Sequence, residues 1–203
     1  MNMITIIDYG MGNLRSVQKA LEAGGAETLI TQKPKDIDRA QKIVLPGVGA
    51  MQPAMEKLNS LGLVEPIKKS ITDGKPFLGI CLGLQLLFEK SDEGGAVAGL
   101  GVLKGHVKRF TSLKVPHMGW NQLEIKNKKC ALFTGIADSS FVYFCHSYYV
   151  QPGEKSVIAA AADYGVEFAS AVNQGSIFGV QFHPEKSQKI GLNILKNFIK
   201  VKS

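Results

Sequence analysis

No apolar run in the chain reaches the roughly 18 residues that a membrane-spanning helix needs, so nothing in it reads as a membrane span. The first ten residues, MNMITIIDYG, have no basic stretch ahead of their apolar run and no small-residue cleavage site. They read as a first strand and not as a secretory signal. Cysteine is scarce: three residues, an odd number spread far apart, argue against a disulfide framework and for a reducing, cytoplasmic setting. Arginine is scarce as well. Of 24 basic residues only Arg15, Arg39 and Arg109 are arginine. The formal charge of +7 raises the question of nucleic acid, but readers of bases and phosphates lean on arginine forks. The lysines are scattered, apart from a small cluster at Lys126–Lys129 that reads as a hairpin tip, and no nucleic-acid motif is present. The expectation is a solvated lysine surface, able to steer an anionic partner or substrate, with no nucleic-acid and no membrane partner. Repeats, linkers and low-complexity segments are also missing. With 203 residues and 45% hydrophobic composition, the economical reading is one domain spanning 1–203.

Strands alternate with helices over residues 1–90. MITIIDY, ETLIT, KIVLPG and KPFLGIC read as strands. Helices are expected over LRSVQKALEAGG, with Leu14, Val17 and Leu21 on one face, over two segments that split near Leu61–Gly62, and over LGLQLLFEK, with Leu84, Leu87 and Phe88 on one side. That order predicts parallel βαβ units. From about Gly94 the chain turns to short, glycine-punctuated strands. A final helix carries Ile190, Ile194, Phe198 and Val201 at helical spacing. The expected fold class is α/β: a central, mostly parallel sheet flanked by helices, with an antiparallel strand extension.

Three motifs fall at the C-terminal ends of predicted strands, where open α/β sheets build their sites. Gly79-Ile80-Cys81-Leu82-Gly83 has the form of a nucleophile elbow, in which flanking glycines permit a strained turn that presents the thiol. A helix N-terminus behind it favours thiolate, and the Leu82 amide is placed to meet an oxyanion. A buried core cysteine fits this pentapeptide too. QFHPEKS sets His183 two residues before Glu185. In extended chain the two side chains share a face, so Glu185 orients the ring while its other nitrogen meets a thiol. A surface histidine beside a solvated glutamate is the alternative. LPGVGAM brings Gly47, Val48 and Gly49 to a strand end as bare amides fit for an oxyanion hole, or as a plain tight turn. Together the three supply nucleophile, base, orienter and oxyanion donors for acyl transfer. Cys145 and His146 are strand neighbours that face opposite sides, Cys130 has no partner pattern, and no Cys/His spacing fits zinc.

G-x-C-x-G-x-Q, with P-G-x-G upstream and F-H-P-E downstream, resembles the class I (triad) glutamine amidotransferases of flavodoxin-like fold. DYGMGNLRSV, PHMGWN, FVYFCHSYYV and HPEKS resemble the branch that serves imidazole glycerol phosphate synthases in histidine biosynthesis. The resemblance implies hydrolysis of L-glutamine through a glutamyl thioester on Cys81, with His183 and Glu185 completing the triad. It implies oxyanion donors at Leu82 and at Gly47, Val48 and Gly49. Glutamine would be held by Gln85 and Glu93 and by the backbone around His146, Ser147 and Tyr148. No metal or organic cofactor is implied. The partner would be a (β/α)8-barrel cyclase subunit in a heterodimer, met by Asn13, Met118, Trp120 and Lys186, where Trp120 is read as a lone tryptophan in a Gly-rich loop that could be core filler instead. Two other readings remain: a paralogous glutaminase feeding ammonia to a surface-sugar amidotransferase, and a non-catalytic flavodoxin-like binding module. Covalent capture of Cys81 by a glutamine-mimicking electrophile is expected on the nucleophile reading. Mass spectrometry finding the thiol unlabelled would leave the core-cysteine reading standing.

Overall fold

The computed structural model describes residues 3–202. Met1, Asn2 and Ser203, the ends of the expected first strand and last helix, lie outside the described residues. Four strands open the chain: β1 (Met3–Ile7), β2 (Glu27–Thr31), β3 (Lys42–Gly47) and β4 (Phe77–Cys81). Between them run α1 (Leu14–Ala23), α2 (Pro34–Arg39), α3 (Met51–Ser60) and α4 (Val64–Thr72). One helical turn, α5 (Leu82–Gln85), leads to β5 (Phe88–Ser91), β6 (Val97–Ala98) and β7 (Leu103–Arg109). Then follow β8 (His117–Gln122), β9 (Glu124–Ile125), β10 (Phe141–His146), β11 (Tyr148–Pro152), β12 (Ile158–Asp163), β13 (Glu167–Gln174), β14 (Ile177–Val180) and α6 (Gln188–Lys200).

The strands of the main sheet run in the order β2-β1-β3-β4-β14-β13-β11-β7-β5-β6, with β12 attached at β13 and β9 at β12. The first five pair in parallel, which is the flavodoxin-like 2-1-3-4-5 order, and the extension beyond β14 is mostly antiparallel. β3 and β4 are buried throughout because helices cover both faces, and such strands read as continuous apolar runs. Successive residues serve opposite layers. Val44, Leu78 and Ile80 join Val17, Leu21, Ile194 and Phe198 on one face. Ile43, Leu45 and Phe77 join Ile37, Leu58 and Ile67 on the other. Burying each of these side chains contributes about 1.5–3 kcal/mol, which is what holds helix to sheet.

Four expectations need correction. LGLQLLFEK is not a full helix: α5 stops at Gln85 and Phe88 begins a strand. The carbonyls of Leu86, Leu87, Phe88 and Glu89 accept hydrogen bonds from the amides of residues 99–103, which takes them away from a helical ladder. Lys126–Lys129 is not a hairpin tip. It leads into a 3-10 turn at Ala131–Phe133, and β9 pairs with the distant β12. Trp120 lies on strand β8 and not in a loop, paired with Tyr143 of β10 in a separate two-stranded ribbon. Val201 falls just past the end of α6, where it still packs on the core.

The tightest of the glycine positions lies beneath the elbow. A Cβ on Gly83 would stand 1.8 Å from the Leu45 carbonyl oxygen, and one on Gly79 would stand 2.5 Å from the Gly83 oxygen. Backbone atoms cannot yield as a flexible side chain can. Gly83→Ala is expected to cost more than about 3 kcal/mol, in the overpacking range or beyond. A thermal melt within a few degrees of wild type would contradict this packing.

Candidate active site

β3, β4 and β14 are adjacent, so the three motifs at their ends converge. Cys81 sits between β4 and α5 with φ 54° and ψ −107°, a left-handed backbone that a cysteine holds only under constraint. It is 5% exposed and opens on a cleft of about 500 Å3. Sγ lies 3.9 Å from the Cys145 carbonyl oxygen and accepts from Gln181 Nε2 at 3.6 Å.

His183 ends the segment after β14 and caps a 3-10 turn, Pro184–Lys186, that swings Glu185 back beneath the ring. His183 Nδ1 and Glu185 Oε1 are 2.9 Å apart, and both side chains are almost wholly buried. The expected pairing is present, but the turn produces it and strand alternation does not. Burial works against a charge on His183. Hydrogen bonds to Cys81 and Glu185 and their negative charge outweigh it and push the imidazole up to about 10. His183 therefore holds its proton through the neutral range, facing the sulfur. The second Glu185 oxygen is buried without a partner, which leaves the carboxylate dedicated to the ring.

Cleft-lining positions include Val48, Gly49, Leu82, Gln85 and Glu93. Gly47 stands behind them, paired with Cys81 across β3 and β4, where a Cβ would lie 2.1 Å from the Tyr9 hydroxyl oxygen. Glu93 Oε2 accepts from the Met51 amide at 2.8 Å. It thus caps α3, whose own N-cap residue, Ala50, has no side-chain acceptor. His146, Ser147 and Tyr148 form the opposite wall. Lys186 reaches over the Tyr143 ring at 5.9 Å, and Trp120 meets the same ring edge-on at 6.0 Å. Met118 is 61% and Trp120 46% exposed, which is unusual for such large apolar side chains on one short strand. Asn13 is exposed on the loop after β1, and its neighbour Gly12 lies against the Pro46–Gly47 backbone.

A family model, "Glutamine amidotransferase class-I", matches residues 5–201. The chain belongs to the class-I glutamine amidotransferase family. Its relatives include the "Imidazole glycerol phosphate synthase subunit HisH" of Geobacter metallireducens, 54% identical over 206 residues, with 98% of each chain covered. The protein of the same name from Geobacter sulfurreducens is 54% identical over 210 residues and the whole of both chains. Among solved structures, a glutamine amidotransferase superposes with a TM-score of 0.76 at 19% identity, over 97% of this chain and 99% of that one. A chain of PurLQS from Thermotoga maritima superposes with a TM-score of 0.73 at 21% identity, over 97% and 94%. At these identities the two structures speak for the fold alone.

Sequence reasoning missed the polar chain behind the amidotransferase cleft. Tyr148 carbonyl oxygen lies 2.8 Å from His146 Nδ1 and can only accept, so Nδ1 carries the proton. Burial above all pushes His146 down to about 3, so the ring is neutral and its Nε2 is an acceptor. His117 Nδ1, 3.0 Å away, must therefore donate. Burial likewise pushes His117 down to about 4, which leaves its Nε2 to accept from Asn121 Nδ2 at 3.3 Å. The legible signal was a histidine two positions after an apolar residue, His117 after Val115 and His146 after Phe144. Such a ring has to find a partner when buried.

The pH dependence of stability follows by sign. His117 and His146 are depressed in the folded state, so their contribution is complete above about 6.5 and is lost as pH falls toward 4 and 3. His183 is raised, so its contribution is complete below about 6.5 and is lost as pH rises through about 10. Thermal melts across this span should peak near neutrality. His117→Phe, stacked between Phe144 and Tyr164, should flatten part of the acid limb. An acid limb of undiminished slope in that variant would contradict a neutral buried His117.

Proposed function

We propose that the chain, as a single glutaminase domain, is the ammonia-producing subunit of imidazole glycerol phosphate synthase, working in the cytoplasm in histidine biosynthesis. The observation that carries the chemistry is an elbow-strained Cys81 in one cleft with His183, whose Nδ1 lies 2.9 Å from Glu185 Oε1. The choice of synthase is supported by full-length relatives of that name at 54% identity.

Cys81 thiolate attacks the side-chain amide carbon of L-glutamine, and the carbonyl electrons move to oxygen. Amides of Leu82 and of the Val48–Gly49 loop, anchored at Gly47, meet that oxyanion. His183 gives its proton to the leaving nitrogen, the C–N bond breaks, and ammonia departs from a glutamyl thioester. Water then attacks the thioester, His183 takes its proton, and glutamate leaves as the thiolate is restored. Glu185 keeps the ring oriented and balances its charge. Gln85, Glu93 and the backbone at His146, Ser147 and Tyr148 hold the substrate. Ammonia passes to a (β/α)8-barrel cyclase that docks over Asn13, Met118, Trp120 and Lys186. An exposed tryptophan beside an exposed methionine suits the aromatic anchor of such an interface. No helix among the described residues is long and apolar enough to cross a membrane.

The chain is expected to co-purify with the cognate cyclase and to release glutamate much faster in that complex than alone. Cys81→Ala should abolish glutamate release, by at least about a thousandfold. Glu185→Gln should lower it by about 10²–10⁴-fold while leaving binding of the cyclase intact. Equal turnover by Cys81→Ala and wild type would refute the mechanism. Full turnover without any cyclase would refute the coupling.

A further inference from the structure

The segment that delivers His183 begins with a polar residue to which the mechanism gives no task. Gln181 follows β14 directly, its amide donates to the Ser170 carbonyl at 2.9 Å, and its side chain is fully buried. One end of that side chain meets the nucleophile and the other meets the substrate wall. Nε2 lies 3.6 Å from Cys81 Sγ, and Oε1 lies 3.1 Å from Gln85 Nε2. Gln85 Nε2 is also 2.9 Å from the Tyr148 carbonyl oxygen.

The polarity of this chain is forced. A backbone carbonyl only accepts, so the nitrogen of Gln85 faces Tyr148. The same nitrogen faces Gln181, so Gln181 presents its oxygen there and its N–H groups to the sulfur. Both N–H groups of Gln85 are then spent inside the protein, and its carbonyl oxygen is the end left for a donor in the cleft. A side-chain amide, donor at one end and acceptor at the other, can bridge these two neighbours without adding charge beside the sulfur. Gln181 is fully buried and Gln85 nearly so, and hydrogen bonds between buried groups are stronger than in water.

We propose that Gln181 is a positioning residue of the glutaminase site, which donates to the Cys81 sulfur in favour of the thiolate and fixes Gln85 with its carbonyl toward the substrate. The inference rests on the glutaminase reading above. Hydrogen bonding to a charged form favours that form, so loss of the donor disfavours the thiolate. Loss of the acceptor frees Gln85 to turn.

Two substitutions separate the tasks. Gln181→Met keeps length and loses both ends. Gln181→Glu keeps an acceptor toward Gln85 and sets a carboxylate against the sulfur. Alkylation of Cys81 by iodoacetamide at pH 7, followed by mass spectrometry, reads the thiolate. The KM for glutamine, from glutamate release in the complex with the cyclase, reads Gln85. Gln181→Met should slow alkylation by about tenfold and raise KM severalfold. Gln181→Glu should slow alkylation at least as much and leave KM within about twofold, a split that a packing role would not produce. Alkylation at the wild-type rate in the variants overturns the proposal, as does a wild-type KM in Gln181→Met. If Gln181→Met does not fold, the isosteric Gln181→Glu decides on alkylation alone. Glutamate release undiminished in Cys81→Ala would instead sink the glutaminase reading, while the alkylation comparison would still decide whether Gln181 serves the sulfur.

Discussion

Cys81 is held in a left-handed backbone conformation that costs of order 1–3 kcal/mol, and the surrounding structure exists in a form that keeps it there. The strain persists because both flanks are locked. Upstream, β4 is paired on both edges, to β3 and to β14. Downstream, α5 presses so close to β3 that only glycine fits at position 83. The same pairing delivers the other parts of the site, since β3 ends in the Gly47–Gly49 loop and β14 runs on to His183. A cysteine in this turn has its sulfur aimed into the cleft without a side-chain search, which is the entropic part of preorganisation.

The ribbon of β8 and β10 ties the interior of the site to the surface. On the inner strand the Tyr143 carbonyl accepts from the His183 amide at 2.9 Å. The Tyr143 amide donates to Ser187 Oγ at 2.9 Å, and Ser187 in turn donates to the His183 carbonyl at 2.7 Å. Both ends of the turn that carries Glu185 are thus pinned to one residue of β10. The outer strand carries Met118 and Trp120, paired with Cys145 and Tyr143. A protein seated on those side chains would touch the strand paired with the one that pins the His183–Ser187 turn. The two neutral histidines paired at the end of the ribbon extend the connection to the Tyr148 carbonyl, where the hydrogen bonds of the wall and of Gln85 meet.

Much of the fold was legible in the sequence, for a physical reason. Strands buried on both faces are unbroken apolar runs, and glycines end helices, so β1, β3 and β4 and α1, α3 and α4 stand out from residue order alone. The members of the proposed triad were legible because an elbow needs Gly79 and Gly83, and an imidazole needs a carboxylate nearby. The leucines of LGLQLLFEK were ambiguous, since they suit a helix and a buried turn equally. Distant amides settled the matter by capturing the carbonyls. Gln181, His117 and the side chain of His146 were overlooked because each is a single polar residue in an apolar setting, and sequence does not say which partner will satisfy it.

The parts of the site and their order along the chain are properties of the sequence: a cysteine between glycines, a histidine two before a glutamate, bare amides after a proline. Local chemistry is enough to name them. Their working relations belong to the folded molecule. A 3-10 turn, and not an extended strand, brings Glu185 under His183. The direction of every hydrogen bond from Asn121 to His146, and from Tyr148 to Cys81, follows from one backbone carbonyl that can only accept and from burial that keeps both imidazoles neutral. That direction exists only once residues far apart in the chain share a dry interior, where each donor must face an acceptor and water cannot stand in for either.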